Sequence, residues 1–106
     1  MKKLSALIPL IILFLSACAH HGAAAIKSRP SGAEVVDVKT GVLLGVTPFR
    51  HWWRDDASAR KFVNIRVQKE GYHDKTNSFW IDLRHGSRKS ALENAQPVDM
   101  ILEKVQ

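Results

Sequence analysis

The sequence predicts an all-β domain, a small antiparallel β-sandwich, and three observations carry that prediction. Two segments alternate with period two: Val63, Ile65 and Val67 against Asn64, Arg66 and Gln68, then Phe79, Ile81 and Leu83 against Trp80 and Asp82. Turn formers recur at short spacing, with Pro30 and Gly32, Gly41, Pro48 and Gly71. Between residues 24 and 83 no window carries the apolar stripe of an amphipathic helix.

The first segment is an address. Lys2 and Lys3 give a positive start, and an apolar run extends from Leu4 to Leu15. A dozen or so residues interrupted by Pro9 fall short of the roughly 20 that a membrane-spanning helix needs, so residues 1–17 read as a secretory signal. Leu15-Ser16-Ala17-Cys18 resembles a bacterial lipobox. The resemblance implies cleavage before Cys18, diacylglyceryl modification of its thiol and acylation of the new terminus. Each buried acyl methylene contributes about 0.8 kcal/mol, so several chains give a durable membrane anchor. Ala19, rather than an aspartate, follows the cysteine, which resembles the signal for the outer membrane in Gram-negative lipoproteins and implies a protein held there on the periplasmic face. Ordinary cleavage at the small-x-small pattern Ala17-Cys18-Ala19 is the alternative, and would leave a soluble chain starting at His20. Residues 18–23 then read as a lipidated tether, with His20 and His21 exposed on it.

Composition bounds the remainder. Residues 18–106 keep 14 basic and 10 acidic side chains, a net charge of +4, which is no nucleic-acid signature. Cys18 is the only cysteine, so no internal disulfide supports the domain, and its stability rests on a small apolar core. No cofactor is expected.

Residues 24–104 read as that domain. Ile26 leads into a turn at Ser28–Gly32; Ala33–Val38 is a strand, and Lys39-Thr40-Gly41 a hairpin turn with Gly where positive φ is needed. Pro48 places the piece beginning at Val46 at a sheet edge or a strand start. After the two alternating strands comes a polar stretch, 84–96, in which Ser90-Ala91-Leu92-Glu93 has the form of a capping box. A helix of one or two turns and an irregular loop both fit it. Val98, Met100 and Leu102 alternate with Asp99, Ile101 and Glu103, predicting a closing strand over 98–104.

Three ordered motifs in this region resemble the PEGA domain. They are Ile26-x-Ser28-x-Pro30-Ser31-Gly32-Ala33-x-Val35, then Leu44-Gly45-Val46-Thr47-Pro48-Phe49, then Lys69-Glu70-Gly71-Tyr72. Ser31 replaces the family's glutamate, and Trp52–Arg60 is longer than the family's usual connection. The resemblance implies a β-sandwich associated with cell envelopes and transfers no catalytic residue. The motifs also make sense physically: Gly32 and Gly71 suit tight reversals, and Tyr72 can bury its ring while its hydroxyl bonds a neighbouring loop.

Candidate sites are few. Trp52 and Trp53 are adjacent, so on a strand they point to opposite faces. An exposed ring near Trp80, flanked by Arg50, His51 and Arg54, would stack on a sugar or anchor a protein partner; alternatively both rings cover the core. His51, His73 and His85 with Asp55, Asp56 and Asp74 match no metal-ligand spacing. No nucleophile elbow or phosphate-binding glycine loop occurs, so no enzyme activity is expected. Arg50, Arg54, Arg60 and Lys61, and again Arg84, Arg88 and Lys89, form a loose basic rim suited to envelope anions. The expectation is a lipid-anchored, non-catalytic module that binds an envelope protein, with a carbohydrate- or peptidoglycan-binding module as the alternative.

Overall fold

The computed structural model describes residues 20–106; the expected signal segment 1–17, the cleavage site and Cys18 lie outside the described residues. Within them the chain forms β1 (His20–Arg29), β2 (Glu34–Asp37), β3 (Leu43–Val46), β4 (Phe49–Asp55), β5 (Arg60–Gln68), β6 (Lys75–Asp82), α1 (Arg88–Glu93) and β7 (Gln96–Ile101). Two sheets result, ordered β4-β1-β7 and β3-β2-β5-β6. The all-β sandwich expected from the alternation is what forms. Every strand pair is antiparallel except β1 with β7, which is parallel.

Period two sets the core. Val63, Ile65 and Val67 of β5 and Ile81 of β6 are buried, as is Leu83 just beyond it, with Phe79 half-buried. Opposite them lie Ala24, Ile26, Trp53, Val98 and Met100 from the three-stranded sheet. The closing strand carries its apolar face on Val98, Met100 and Leu102, as predicted, although it runs over 96–101 rather than 98–104. Pro97 is tolerated because β7 is the outer strand of its sheet. Pro48 likewise stands just before β4, the other outer strand.

Residues 20–23 are the first four residues of β1, where a tether was expected. His20 pairs with Asp55, His21 with Arg54, Gly22 with Trp53 and Ala23 with Trp52. The segment lacks large apolar residues because its neighbours come too close for them. A Cβ on Gly22 would collide with the Asp82 carbonyl oxygen and lie 2.6 Å from Ile81 Cγ2. Ala24 faces the core, while Ala23, on the opposite face, is buried beneath α1, which packs on β1 and β4. The short helix exists, but its cap is Ser87 rather than Ser90: the Ser90 N–H donates to Ser87 Oγ at 3.1 Å.

The corner between the sheets is a hydrogen-bonded unit. Ser28 Oγ donates to the Pro30 carbonyl at 2.8 Å, so its one proton is committed. The 2.6 Å contact between Ser28 Oγ and Thr47 Oγ1 is then a bond donated by Thr47. Thr47 Oγ1 in turn accepts the Ala33 N–H at 3.0 Å. Backbone bonds from Gly32 N to Thr47 O and from Thr47 N to Ala33 O close the corner. Gly32 and Gly41 take the positive φ that their turns require, 86° and 77°. Tyr72 packs its ring against the core, but its hydroxyl makes no hydrogen bond among the described residues, contrary to expectation.

A second brace crosses between the sheets. The Gln96 carboxamide accepts from Asp82 N at 2.9 Å and donates to Trp80 O at 3.1 Å, standing in for a neighbouring strand on β6. Farther along, Lys75 Nζ donates to the Ile101 carbonyl at 3.1 Å.

Candidate functional site

β4 decides where the tryptophans go. Its odd positions, Phe49, His51 and Trp53, face inward, and its even positions, Arg50, Trp52 and Arg54, face out. Trp53 is 9 % exposed and sits edge-on between Phe79 at 6.5 Å and His51 at 4.7 Å, ring centre to ring centre. It is a core residue. Trp52 lies half-buried on the outer face of the three-stranded sheet. The His21 ring is 5.9 Å away, and the Arg88 guanidinium from α1 lies 5.5 Å from its ring centre.

Trp80 belongs to the opposite outer face. It projects from β6, 50 % exposed, directly across from Phe62 of β5, itself 54 % exposed, with ring centres 5.0 Å apart. The Arg60 guanidinium lies 4.4 Å above the Trp80 ring, within the range of a cation–π contact. Trp52 and Trp53 therefore part as expected, but the outward ring, with Arg50 and Arg54, is not brought near Trp80. One ring is inside, and the other two stand on opposite sides of the sandwich. Phe62, missed in the sequence, was marked by parity: it shares the outward alternation of Asn64 and Arg66.

Charges pair locally. Arg54 and Asp56 meet at 3.3 Å, and Arg60 and Asp82 at 4.0 Å. Asp55 Oδ1 accepts from Ala57 N and Ser58 N at 2.8 and 3.2 Å, and these bonds hold its carboxyl below the ordinary range. Burial holds the His51 imidazole below its usual 6.5, with the Asp37 charge opposing. His20 and His21 are half-buried strand residues rather than exposed tether residues. His21 and His85 exchange backbone bonds at 2.8 and 3.0 Å. Within the described residues His21 Nδ1 has no hydrogen-bond partner.

Among the described residues no three His, Cys, Asp or Glu side chains converge as metal ligands. His85 Nδ1 and Ser90 Oγ lie 3.1 Å apart. With Ser90 inside α1 and no carboxylate bonded to the His85 ring among the described residues, the contact ties the loop to the helix. A polar hollow of about 630 Å³ lies at the other end of the sandwich, lined by Gly32, Glu34, Gln68, Lys69, Glu70 and Asp74.

The sheet edges differ. β6 is braced by Gln96 and Lys75, whereas β3, at the other edge of the same sheet, pairs only with β2. Leu43 and Val46 of β3 pair with Val36 and Glu34, and are 52 % and 49 % exposed. The neighbouring Val42 is exposed too. Such an edge presents unpaired backbone groups beside apolar side chains.

Compared with models of known protein families, with characterised proteins and with solved structures, the chain matches none.

Proposed function

We propose that this chain is a lipid-anchored, non-catalytic interaction module of a bacterial cell envelope, held at the outer membrane through Cys18 and related to the PEGA domains. Support for that relation comes from the motif residues. Ser28, Pro30, Ala33 and Thr47, up to 19 positions apart, meet in one hydrogen-bonded corner. Gly71 takes a φ of 85° directly before Tyr72.

The observation that carries the binding reading is the β3 edge. An envelope protein offering an extended segment would add a strand there, its backbone pairing with β3 and its apolar side chains meeting Leu43 and Val46. Local concentration at the membrane would compensate for a short contact.

A photo-crosslinking residue at position 43, introduced in cells, tests this. The expected result is a defined protein adduct that Val46→Lys abolishes while the same probe at Glu93 gives none. Identical adducts from both positions, or an adduct indifferent to Val46→Lys, would overturn the edge reading. Mass spectrometry of the membrane form checks the anchor separately: the N-terminal peptide begins at an acylated Cys18, whereas a soluble chain beginning at His20 refutes it.

A further inference from the structure

The end of the sandwich at which the chain enters has a distinct make-up. β1 begins at His20, two residues beyond Cys18, a reach of about 7 Å at full extension. Around His20 stand the end of β4, the start of β5 and the end of β6, since His20 pairs with Asp55 and Arg60 with Asp82. The His21–His85 backbone bridge brings the β6–α1 connection to the same end.

All three tryptophans lie close to that end. Trp53 and Trp52 pair with Gly22 and Ala23, and Trp80 is two residues from the last pair of β6. Measured along the strands, each is within about 10 Å of that end. Each outer face carries one such ring with an arginine upon it: Trp52 with Arg88, Trp80 with Arg60. Phe62 stands beside Trp80. Three of the acids at this end have local partners. Asp55 is bonded within its own loop, while Asp56 and Asp82 pair with Arg54 and Arg60. Arg84, Arg88 and Lys89 have no carboxylate within ion-pair distance among the described residues.

We infer that this end of the sandwich rests on an anionic lipid surface, with Trp52 on one face and Trp80 with Phe62 on the other at head-group level, and Arg84, Arg88 and Lys89 on the lipid phosphates. The inference rests on the anchored reading above, because the anchor sets which end meets the bilayer. Tryptophan suits the interface because its ring is apolar and its N–H finds polar partners there. Arginine and lysine keep their stems on apolar surface with the charge in the head groups. A domain hung from one attachment would swivel; aromatic contacts on both outer faces hold it upright, with the β3 edge clear of the membrane along most of its length.

The test uses the full protein purified in its membrane form and reconstituted into vesicles of phosphatidylethanolamine with a minority of phosphatidylglycerol. A lipid spin-labelled on its head group serves as quencher of tryptophan emission. Emission is expected to fall, and Trp52→Phe and Trp80→Phe should each remove part of the quenchable signal. Each basic residue at an anionic surface shifts the contact equilibrium about fivefold. Changing Arg84, Arg88 and Lys89 together to Gln, or replacing phosphatidylglycerol with phosphatidylcholine, should therefore largely relieve the quenching. Unchanged Trp53 emission in the absence of quencher shows that each variant is folded. An acylated Cys18 peptide together with unquenched emission overturns this inference and leaves the anchor standing. So does quenching indifferent to lipid charge. An N-terminal peptide without acyl chains overturns the anchored reading, and the orientation with it.

Discussion

Removing one hydroxyl from the corner between the sheets should cost more than any exposed substitution. In Thr47→Val the side-chain shape is kept and the oxygen lost. The Ala33 N–H, donated to Thr47 Oγ1 at 3.0 Å, is then buried without an acceptor, and Ser28 Oγ loses the bond that Thr47 donates at 2.6 Å. Leaving a buried donor unpaired costs about 1–3 kcal/mol. Urea unfolding of the detergent-solubilised protein, followed by tryptophan emission, should show the unfolding free energy lowered by that amount, as a lower midpoint at an unchanged slope. Ser28→Ala alone strands the Pro30 carbonyl and the Thr47 proton. The double variant loses the shared Ser28–Thr47 bond once instead of twice. It should therefore cost less than the sum by about 0.5–1.5 kcal/mol, the net worth of one bond. Thr47→Ser, which retains the hydroxyl, should recover much of the loss. If Thr47→Val shifts stability by under about 0.5 kcal/mol, or the two substitutions add, the hydroxyl chain is not what holds the corner.

Other perturbations follow from the same geometry. Gly22→Ala forces a methyl group against the Asp82 carbonyl and Ile81, so it should cost about 1–3 kcal/mol and lower Tm by roughly 5–20 °C; a near-neutral result would show that the sheets can move apart there. Gln96→Leu frees Asp82 N and Trp80 O, and hydrogen exchange at the Asp82 amide should speed up while the core amides keep their protection. Burial disfavours the charged form of His51, so its folded pKa lies below 6.5 and the unfolded chain takes up the proton first. Stability is thus full above about pH 6.5 and falls as the pH drops below it. His51→Gln should flatten that slope in a midpoint series, and an unchanged slope would assign it to other groups.

The parts that sequence made legible are those whose burial comes from their own side chains. β5 and β6 announce themselves because Val63, Ile65, Val67, Phe79 and Ile81 alternate with polar residues, and only one register buries them all. The start of β1 was hidden because Gly22, Ala23 and Ala24 are buried by what approaches them, β6 from one side and α1 from the other. Small residues give no periodic signal, although they are what such close approach demands. Adjacency showed that Trp52 and Trp53 part company, but the inward one is chosen by register. Pairing with the inward Gly22 puts Trp53 in the core. Similarly, Ser90 had the form of a cap, yet the His21–His85 bridge pins the chain so that the helix starts earlier, at Arg88, and Ser87 takes the role.

These placements explain how a domain without an internal disulfide holds two sheets in fixed relation. Apolar contacts across the core are non-directional and resist sliding of one sheet over the other only weakly. Directional bonds between the sheets supply that resistance. Ser28 and Thr47 clamp the corner at one end, Gln96 and Lys75 brace β7 against β6, and His21 with His85 ties β1 to the chain beyond β6 at the other end. A disulfide would do the same at one point; here four bonded contacts spread the work over both ends and one side. The remaining side is bounded by β3 and β4, joined through the Thr47-Pro48 corner. That side, with the outer edges of β3 and β4, is where the proposed partner strand would add without displacing a brace.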